Sequence, residues 1–567
     1  MNRFTLGVIT FGALGVGGLV YWLATVDSIS LKDDLRFITP RTLEWTFLLM
    51  VAGFAVNFRG IRELLPPRRF VPVIVFFVAL VIVSFLPPRT HRIYFDEDIY
   101  QNVAQNILWE DRAQMCNEGM IQAGLFTCEA WEYNKEPNAF PFLLSAVFRV
   151  SGVDESAAHR LNHWLFALGA IAVYWIAGVL FERTGVALGA ALVYILTPQN
   201  LLWSATVAVE PGAAAFGAVG IGAWIYFCKK PSWAAGIFGA SALAFASQFR
   251  PESGLVLAVA AIAMLLLAPG LLRRRVAYGS ALLLFLLLVP HFAHLWSVRN
   301  EDWGSSEAKF SVKYAEQNWK TNARYYVEGR DFPAFFTLAA LLGLLYPRRK
   351  RQAAVLFVWF ALLFGIFVPF YAGSYRYGAD VRFAALSAAP LAILAGAGLG
   401  TVSEWLARRF HRSRWVRVVP YGLAVYAFTH YLPLVKAVGM EGWQARADHD
   451  VARAMVEQLP ANSILLTHNP GMIQVMGQSA AQVSLVSYQP TRVDRFFDRF
   501  PGGVYFHYNF WCNVDDEVQV QFCSDVLGRY QTQVLMEESA GYYRYVLHRL
   551  LPRSEPPPPP VPPAHQG

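Results

Sequence analysis

FVPVIVFFVALVIVSFL, Phe70–Leu86, is followed closely by Ile93-Tyr94-Phe95-Asp96-Glu97-Asp98-Ile99-Tyr100. The first stretch is seventeen residues long and carries no charge, which suits a helix crossing a bilayer. Three consecutive carboxylates just beyond it cost solvation free energy beside lipid unless they have a use. The pair of stretches therefore suggests a membrane scaffold with an acidic centre at one of its faces.

The whole chain agrees with that reading. Of 567 residues, 55% are hydrophobic and 16% charged, well below the quarter usual for soluble domains. The net charge of +8 does not indicate nucleic acid as a partner, because Lys and Arg sit in short turns between apolar runs. Phe4–Val26 reads as a retained first span and Thr42–Phe58 as a second, ahead of Phe70–Leu86. Ten more follow: Leu161–Phe181, Val186–Trp203, Val207–Phe227, Trp233–Phe249, Gly254–Leu267, Val276–Trp296, Pro333–Tyr346, Ala353–Tyr371, Phe383–Gly400 and Val418–Val435. The expected fold is an α-helical polytopic membrane protein of about thirteen spans, with interfacial helices outside. The basic turns at Arg59–Arg69, Lys229-Lys230, Arg273–Arg275, Arg348–Arg351 and Arg408–Arg417 all fall on one side of this scheme. That side is cytoplasmic by the positive-inside rule, which places the N-terminus inside and the acidic stretch outside.

The expected organisation is an N-terminal hairpin (1–69), a membrane module (70–435) with a large first external loop (87–160), an external α/β domain (436–550), and a disordered proline-rich tail (551–567). In the α/β domain Asp450–Gln458 reads as helix, and Ser463–Thr467, Gln482–Ser487 and Gly503–His507 read as strands. Cys116 with Cys128, and Cys512 with Cys523, are close pairs in external segments and are expected to form disulfides; Cys228 is expected to be a free thiol. Asp448-His449-Asp450 and His468 show no spacing of a nucleophile or metal site.

Asp96 suits the N-cap of a helix from Glu97 to about Trp109, with Ile99, Val103 and Ile107 on an apolar face and Gln101, Asn102, Gln105 and Asn106 on a polar one. Such a helix would lie along the membrane surface. The plainer alternative makes Asp96 only a cap and its neighbours solvated charges. Lys135, in Asn134-Lys135-Glu136-Pro137-Asn138-Ala139-Phe140-Pro141, suits an anionic headgroup, or serves only as an interfacial anchor. Trp303, Tyr314, Trp319, Tyr325 and Tyr326 suit either sugar stacking or an interfacial aromatic belt. A divalent cation at Asp96, Glu97 and Asp98 stays open, since oxygen ligands suit such ions.

Together the acidic stretch, the following helix and the Lys-x-Pro-x-x-x-Pro opening resemble polytopic lipid-sugar-dependent glycosyltransferases of the C-type superfamily, the protein O-mannosyltransferase and aminoarabinose transferase relatives of glycosyltransferase family 39. The likeness continues through Arg160-Leu161-Asn162, Thr197-Pro198, Glu210-Pro211, Phe249-Arg250-Pro251-Glu252 and Tyr371–Phe383, about Phe70 to Gly400 in all. Two spans ahead of the first family-like span, and the third acid Asp98, depart from the pattern. The resemblance implies a hexosyl- or pentosyltransferase with a polyprenyl-phosphate sugar donor and an acceptor hydroxyl on a protein, a lipid A-like lipid or an envelope glycan, by inverting single displacement. It implies Asp96 as base with Glu97 second, Lys135, Arg376 and Arg382 on the donor phosphate, and Glu210, Asp98 and Tyr100 on the substrate. Arg250 and Glu252 are either part of this site or a structural ion pair. A bacterial inner membrane, with membrane lipids as surroundings, follows from the same resemblance. The rivals are a lipid-linked oligosaccharide transferase or polymer ligase, and a non-catalytic transporter or scaffold; no clear internal repeat favours a transporter.

Overall fold

The computed structural model describes residues 3–65, 70–301, 308–345, 349–376, 378–410 and 415–552. Arg68, Arg69, Trp303, Tyr346, Arg348, Tyr377 and the proline-rich tail from Ser554 lie outside them. The chain forms two compact units: residues 1–93, 134–147 and 156–442, and residues 94–133, 148–155 and 443–567.

The first unit is helical. Each apolar stretch read from the sequence falls on one helix or on two consecutive ones. Among the described residues four helices are long and apolar enough to cross a membrane: Glu155–Phe181, Glu210–Lys229, Arg275–Ser297 and Asp380–Arg409; the last begins within the 3₁₀ segment Gly378–Ser387. Thr184–Ile195 and Pro198–Ser204 pass the test as a pair bent by 58°. The bend follows from Pro198, which cannot donate to the preceding turn. Others, such as Val71–Phe85 and Trp233–Ala246, are apolar but shorter.

Ion pairs draw several basic turns together at one end of this unit. Glu63 pairs with Lys230. Glu182 pairs with Arg349 at 2.9 Å and Lys229 at 3.4 Å. Its neighbour Arg183 pairs with Glu404, which also meets Arg408 at 3.4 Å. Pairs this exposed add little stability, but they fix which helix ends meet.

The second unit is α/β. Its seven-stranded sheet comprises β1 (Gln114–Gln122), β2 (Leu125–Tyr133), β3 (Ile464–Thr467), β4 (Ser479–Gln482), β5 (Val504–Tyr508), β6 (Gln531–Ala540) and β7 (Tyr543–Leu551), in the order β2-β1-β4-β3-β5-β7-β6. Strands β4, β3 and β5 are parallel and the outer pairings antiparallel. Alternation along β3 divides the core, with Ile464 and Leu466 in one cluster and Leu465 in the other. Disulfide Cys116–Cys128 joins β1 to β2, Cys512–Cys523 joins the 3₁₀ turn Phe510–Asn513 to the helix Glu517–Arg529, and Cys228 is a buried free thiol.

Two local expectations are corrected here. Gln482–Ser487 is not one strand: β4 ends at Gln482, Ser484 takes a helical conformation, and Leu485–Tyr488 forms a helical turn. The helix Asp96–Glu110 is not laid on a surface by its polar face. Gln101, Asn102, Gln105 and Asn106 are all buried. Asn102 donates to Gln474 at 2.7 Å and accepts from the Cys116 N–H at 2.7 Å, and Gln105 donates to the Gln474 carbonyl at 3.2 Å. Gly119 in β1 permits this packing, because a Cβ there would meet the Gln474 carboxamide at 2.5 Å.

Candidate functional site

In the first unit Glu210 opens the helix Glu210–Lys229, where the helix dipole favours a carboxylate. The loop before it is pinned by side chains. Asn162 donates to the carbonyls of Thr206 and Ala208, each at 2.8 Å, and the Thr90 N–H donates to the Ala205 carbonyl at 3.2 Å. This is what Arg160-Leu161-Asn162 does locally.

Glu210 has no exposed surface. Its Oε1 lies 2.6 Å from Arg250 Nη1 and 2.8 Å from Arg382 Nε. Arg250 also pairs with Glu252. The ring of Phe383 lies beside both guanidiniums, 5.1 and 5.0 Å from its centroid. Two cations and two anions thus form a neutral buried cluster, the condition under which burying charge is tolerable. It brings Glu210 and Arg382 together and adds Arg250 and Glu252 to them. Glu210 is placed to hold two guanidiniums.

Lys135 sits in a turn ordered by Asn134, whose Nδ2 donates to the Glu136 carbonyl at 2.9 Å and to Asn138 Oδ1 at 2.7 Å. The Ala139 N–H donates to the Gln248 carbonyl at 3.0 Å, so this turn and the Arg250 turn are joined through their backbones.

Arg376 borders a cavity of about 350 Å³ with Arg92, Gln199, Trp203, Asp331 and Tyr375. A neighbouring cavity of about 220 Å³ shares Arg330, Asp331, Tyr375 and Arg376 with it. Arg92 pairs with Glu441, and Arg330 lies 4.0 Å from Asp331. Arg376 forms no ion pair among the described residues. The buried Trp203 indole N–H has no hydrogen-bond partner among them. The loop carrying Arg376 is held by the helix Val312–Val327: Asn318 donates to the Phe370 carbonyl at 2.7 Å, and Asn322 donates to the Gly373 carbonyl and accepts from the Tyr375 N–H, each at 2.8 Å. Gly373 is required here, since a Cβ would lie 1.8 Å from the Phe367 carbonyl oxygen. Of the aromatics in this segment, Tyr325 and Tyr326 are buried against Phe332 and Tyr375, whereas Trp319 is exposed. Both tyrosines are packed into the core rather than set out as an exposed belt, and Tyr325 also lines the cavity of about 220 Å³.

In the second unit Asp96 is the first residue of its helix, and Phe95 occupies the cap position with φ 64°. The expected Asp96 cap is thus displaced by one residue, and no side chain caps this end. Asp96 is half-buried, whereas Glu97, Asp98 and Tyr100 are buried. Asp98 accepts from Asn469 Nδ2 at 2.7 Å. The carboxylate oxygens of Asp96, Glu97 and Asp98 do not converge as a ligand set for a cation.

The sequence reading missed the group around Asp448. This residue accepts from the Tyr94 hydroxyl at 3.0 Å and lies 3.6 Å from His507 Nε2. The Trp511 indole N–H donates to the Tyr94 hydroxyl at 3.0 Å. Burial pushes the Asp448 carboxyl up to about 7, with Asp98 adding to the shift. Burial pushes His507 down to about 3. Only Asp448-His449-Asp450 hinted at this group; Tyr94 and His507 are too distant in sequence to join it by spacing.

Residues 135–294 match the family model for dolichyl-phosphate-mannose-protein mannosyltransferases. The fold is similar to that of ArnT from Cupriavidus metallidurans, solved with bound undecaprenyl phosphate: TM-score 0.52, 15% identity, over 84% of this chain and 97% of that one. A mycobacterial arabinofuranosyltransferase, AftD, aligns at TM-score 0.49 and 12% identity over 87% of this chain, which spans 40% of it. No curated protein matches the chain. The resemblance to lipid-sugar-dependent glycosyltransferases is thus carried by a family model over part of the chain and by an ArnT-like fold over most of it.

Proposed function

We propose that the protein is an integral membrane glycosyltransferase that moves one sugar from a polyprenyl-phosphate donor to an acceptor hydroxyl. The observation that carries this reading is the family match over 135–294, because that stretch contains Lys135, Glu210, Arg250 and Glu252. Three of these four form the buried cluster with Arg382.

In the proposed reaction the acceptor oxygen attacks the anomeric carbon, its proton passes to a carboxylate, and the lipid phosphate leaves with inversion. Asp96 is the base; it retains exposed surface, whereas Glu97 is fully buried and ranks second. Lys135, Arg376 and Arg382 stabilise the departing phosphate. Glu210 acts by orienting Arg382 and Arg250. Asp98 and Tyr100, both buried, support the substrate side from within their unit.

About thirteen spans, a cytoplasmic N-terminus and an inner-membrane location belong to this proposal. The ion-paired basic turns support a common side for Glu63, Lys229, Lys230, Arg349 and Arg408. The hairpin 1–69, the module 70–435 and the external domain 436–550 are kept, with residues 94–133 packed into the same unit as the external domain.

The test is transfer from a panel of radiolabelled polyprenyl-phosphate sugars in purified membranes. Wild type should transfer; folded Asp96→Asn should be nearly inactive, and Lys135→Ala strongly impaired. Equal transfer by both variants removes Asp96 and Lys135 from the site. No donor consumption by wild type, with native acceptor present, overturns the glycosyltransferase reading.

A further inference from the structure

A cavity of about 630 Å³ lies where the basic turns of the first unit meet. Three arginines line it, Arg183, Arg408 and Arg417, against one carboxylate, Glu404, which Arg183 and Arg408 share. The Ser403 hydroxyl donates to the Arg417 carbonyl at 2.8 Å and fixes that residue at the rim. Among the described lining residues positive charge is in excess.

The helix Thr184–Ile195 begins in the same cavity. Its cap residue is Arg183, no side chain caps it, and the first capping-turn bond runs from the Ala187 N–H to the Arg183 carbonyl. The N–H groups of Thr184, Gly185 and Val186, all lining residues, are the donors such a helix start turns outward. Val186, Ala407 and Val418 give the wall an apolar part, beside Tyr421, whose hydroxyl lies next to Gly185. Two framing elements, Asp380–Arg409 and the bent pair starting at Thr184, are among those apolar and long enough to cross a bilayer.

We infer that this cavity binds the phosphodiester headgroup of an anionic phospholipid. Guanidinium forks and helix-start N–H groups match phosphate oxygens. The apolar part of the wall at a helix end matches the glycerol and upper acyl region, which a free phosphate ion lacks. The site is separate from the Glu210 cluster. Glu210 and Lys229 are the two ends of one 20-residue helix, about 30 Å long, and Lys229 pairs with the residue next to Arg183.

The experiment uses full-length protein in nanodiscs containing phosphatidylcholine and phosphatidylglycerol in equal amounts, with the lipids retained after extraction counted by native mass spectrometry. Wild type should retain phosphatidylglycerol preferentially. Arg408→Gln with Arg417→Gln should lose about thirtyfold of that preference, equivalent to about 2 kcal/mol for two basic groups. Arg408→Lys with Arg417→Lys should keep most of it, which separates charge from misfolding. No preference in wild type, or an unchanged preference in the Gln variant, overturns the inference. Complete displacement of phosphatidylglycerol by inorganic phosphate overturns the lipid assignment in favour of a free phosphate site.

Discussion

Asp448→Asn should convert a nearly pH-independent contribution to stability into a strongly pH-dependent one. Asp448 and His507 are both fully buried, 3.6 Å apart, with Thr467 Oγ1 3.1 Å from the other ring nitrogen of His507. Folding raises the Asp448 carboxyl from 3.8 to about 7 and lowers His507 from 6.5 to about 3. Between about pH 4 and 6.5 folded Asp448 holds a proton that the unfolded chain has released. Over the same range folded His507 lacks a proton that the unfolded chain holds. The two differences cancel, so the wild-type pair contributes no slope. Asp448 alone favours the fold at low pH and loses that contribution as pH rises towards 7; His507 alone does the reverse. Removing Asp448 leaves the histidine term, and stability should rise by about 1.4 kcal/mol per pH unit, or about 3 kcal/mol over the window. His507→Gln should show the opposite slope. The assay is amide hydrogen exchange of peptides covering β3 and β5 in full-length protein, corrected for intrinsic exchange and referred to wild type at each pH. A difference between Asp448→Asn and wild type that stays constant from pH 4 to 6.5 would refute the coupled titration.

Other outcomes follow from the same geometry. Glu210→Ala removes the carboxylate that Arg250 and Arg382 share, and the loss of this buried partner should destabilise the first unit by about 3–5 kcal/mol; Glu210→Gln, which keeps an acceptor, should lose less, as read by thermal unfolding in detergent. Cys116→Ser with Cys128→Ser opens a crosslink of sequence separation 12 and should cost the second unit about 3 kcal/mol in denaturant unfolding. Arg376→Ala should weaken use of the lipid-phosphate donor, mainly as a higher KM, with an unchanged melting temperature, whereas Arg382→Ala should lower both melting temperature and transfer; matched melting temperatures for the two would contradict the different burial described for them.

The apolar helices were legible because hydropathy needs no partner: each apolar run marks its own segment. The helix Asp96–Glu110 was equally legible from its first-turn acids and the period of Ile99, Val103 and Ile107. Its environment was not. A face of Gln and Asn looks solvated until partners distant in sequence are known, and here Gln474 and the Cys116 backbone take those hydrogen bonds. The hairpin of β1 and β2 left a signal that went unused. Ala123-Gly124, both at positive φ, link two strands as a two-residue turn. The convergence of Arg250 and Arg382 on Glu210 left none, because nothing in the order Glu210, Arg250, Arg382 fixes which arginines meet one oxygen.

That convergence bears on where positive charge is available to a phosphate. Buried charge persists only when paired, so the Glu210–Glu252–Arg250–Arg382 group is internally neutral and Arg382 already spends much of its field on Glu210. Arg330 stands near Asp331, and Arg92 is paired with Glu441. Arg376, exposed and bordering both cavities, forms no ion pair among the described residues, and shares both cavities with Asp331. A polyprenyl-phosphate sugar is a phosphodiester with one negative charge, so this one guanidinium at the cavity wall matches it. On the proposed function, Arg376→Ala is therefore expected to raise the KM for the lipid-phosphate donor more than a substitution at Arg382 of equal effect on stability, and equal KM changes would contradict this ranking.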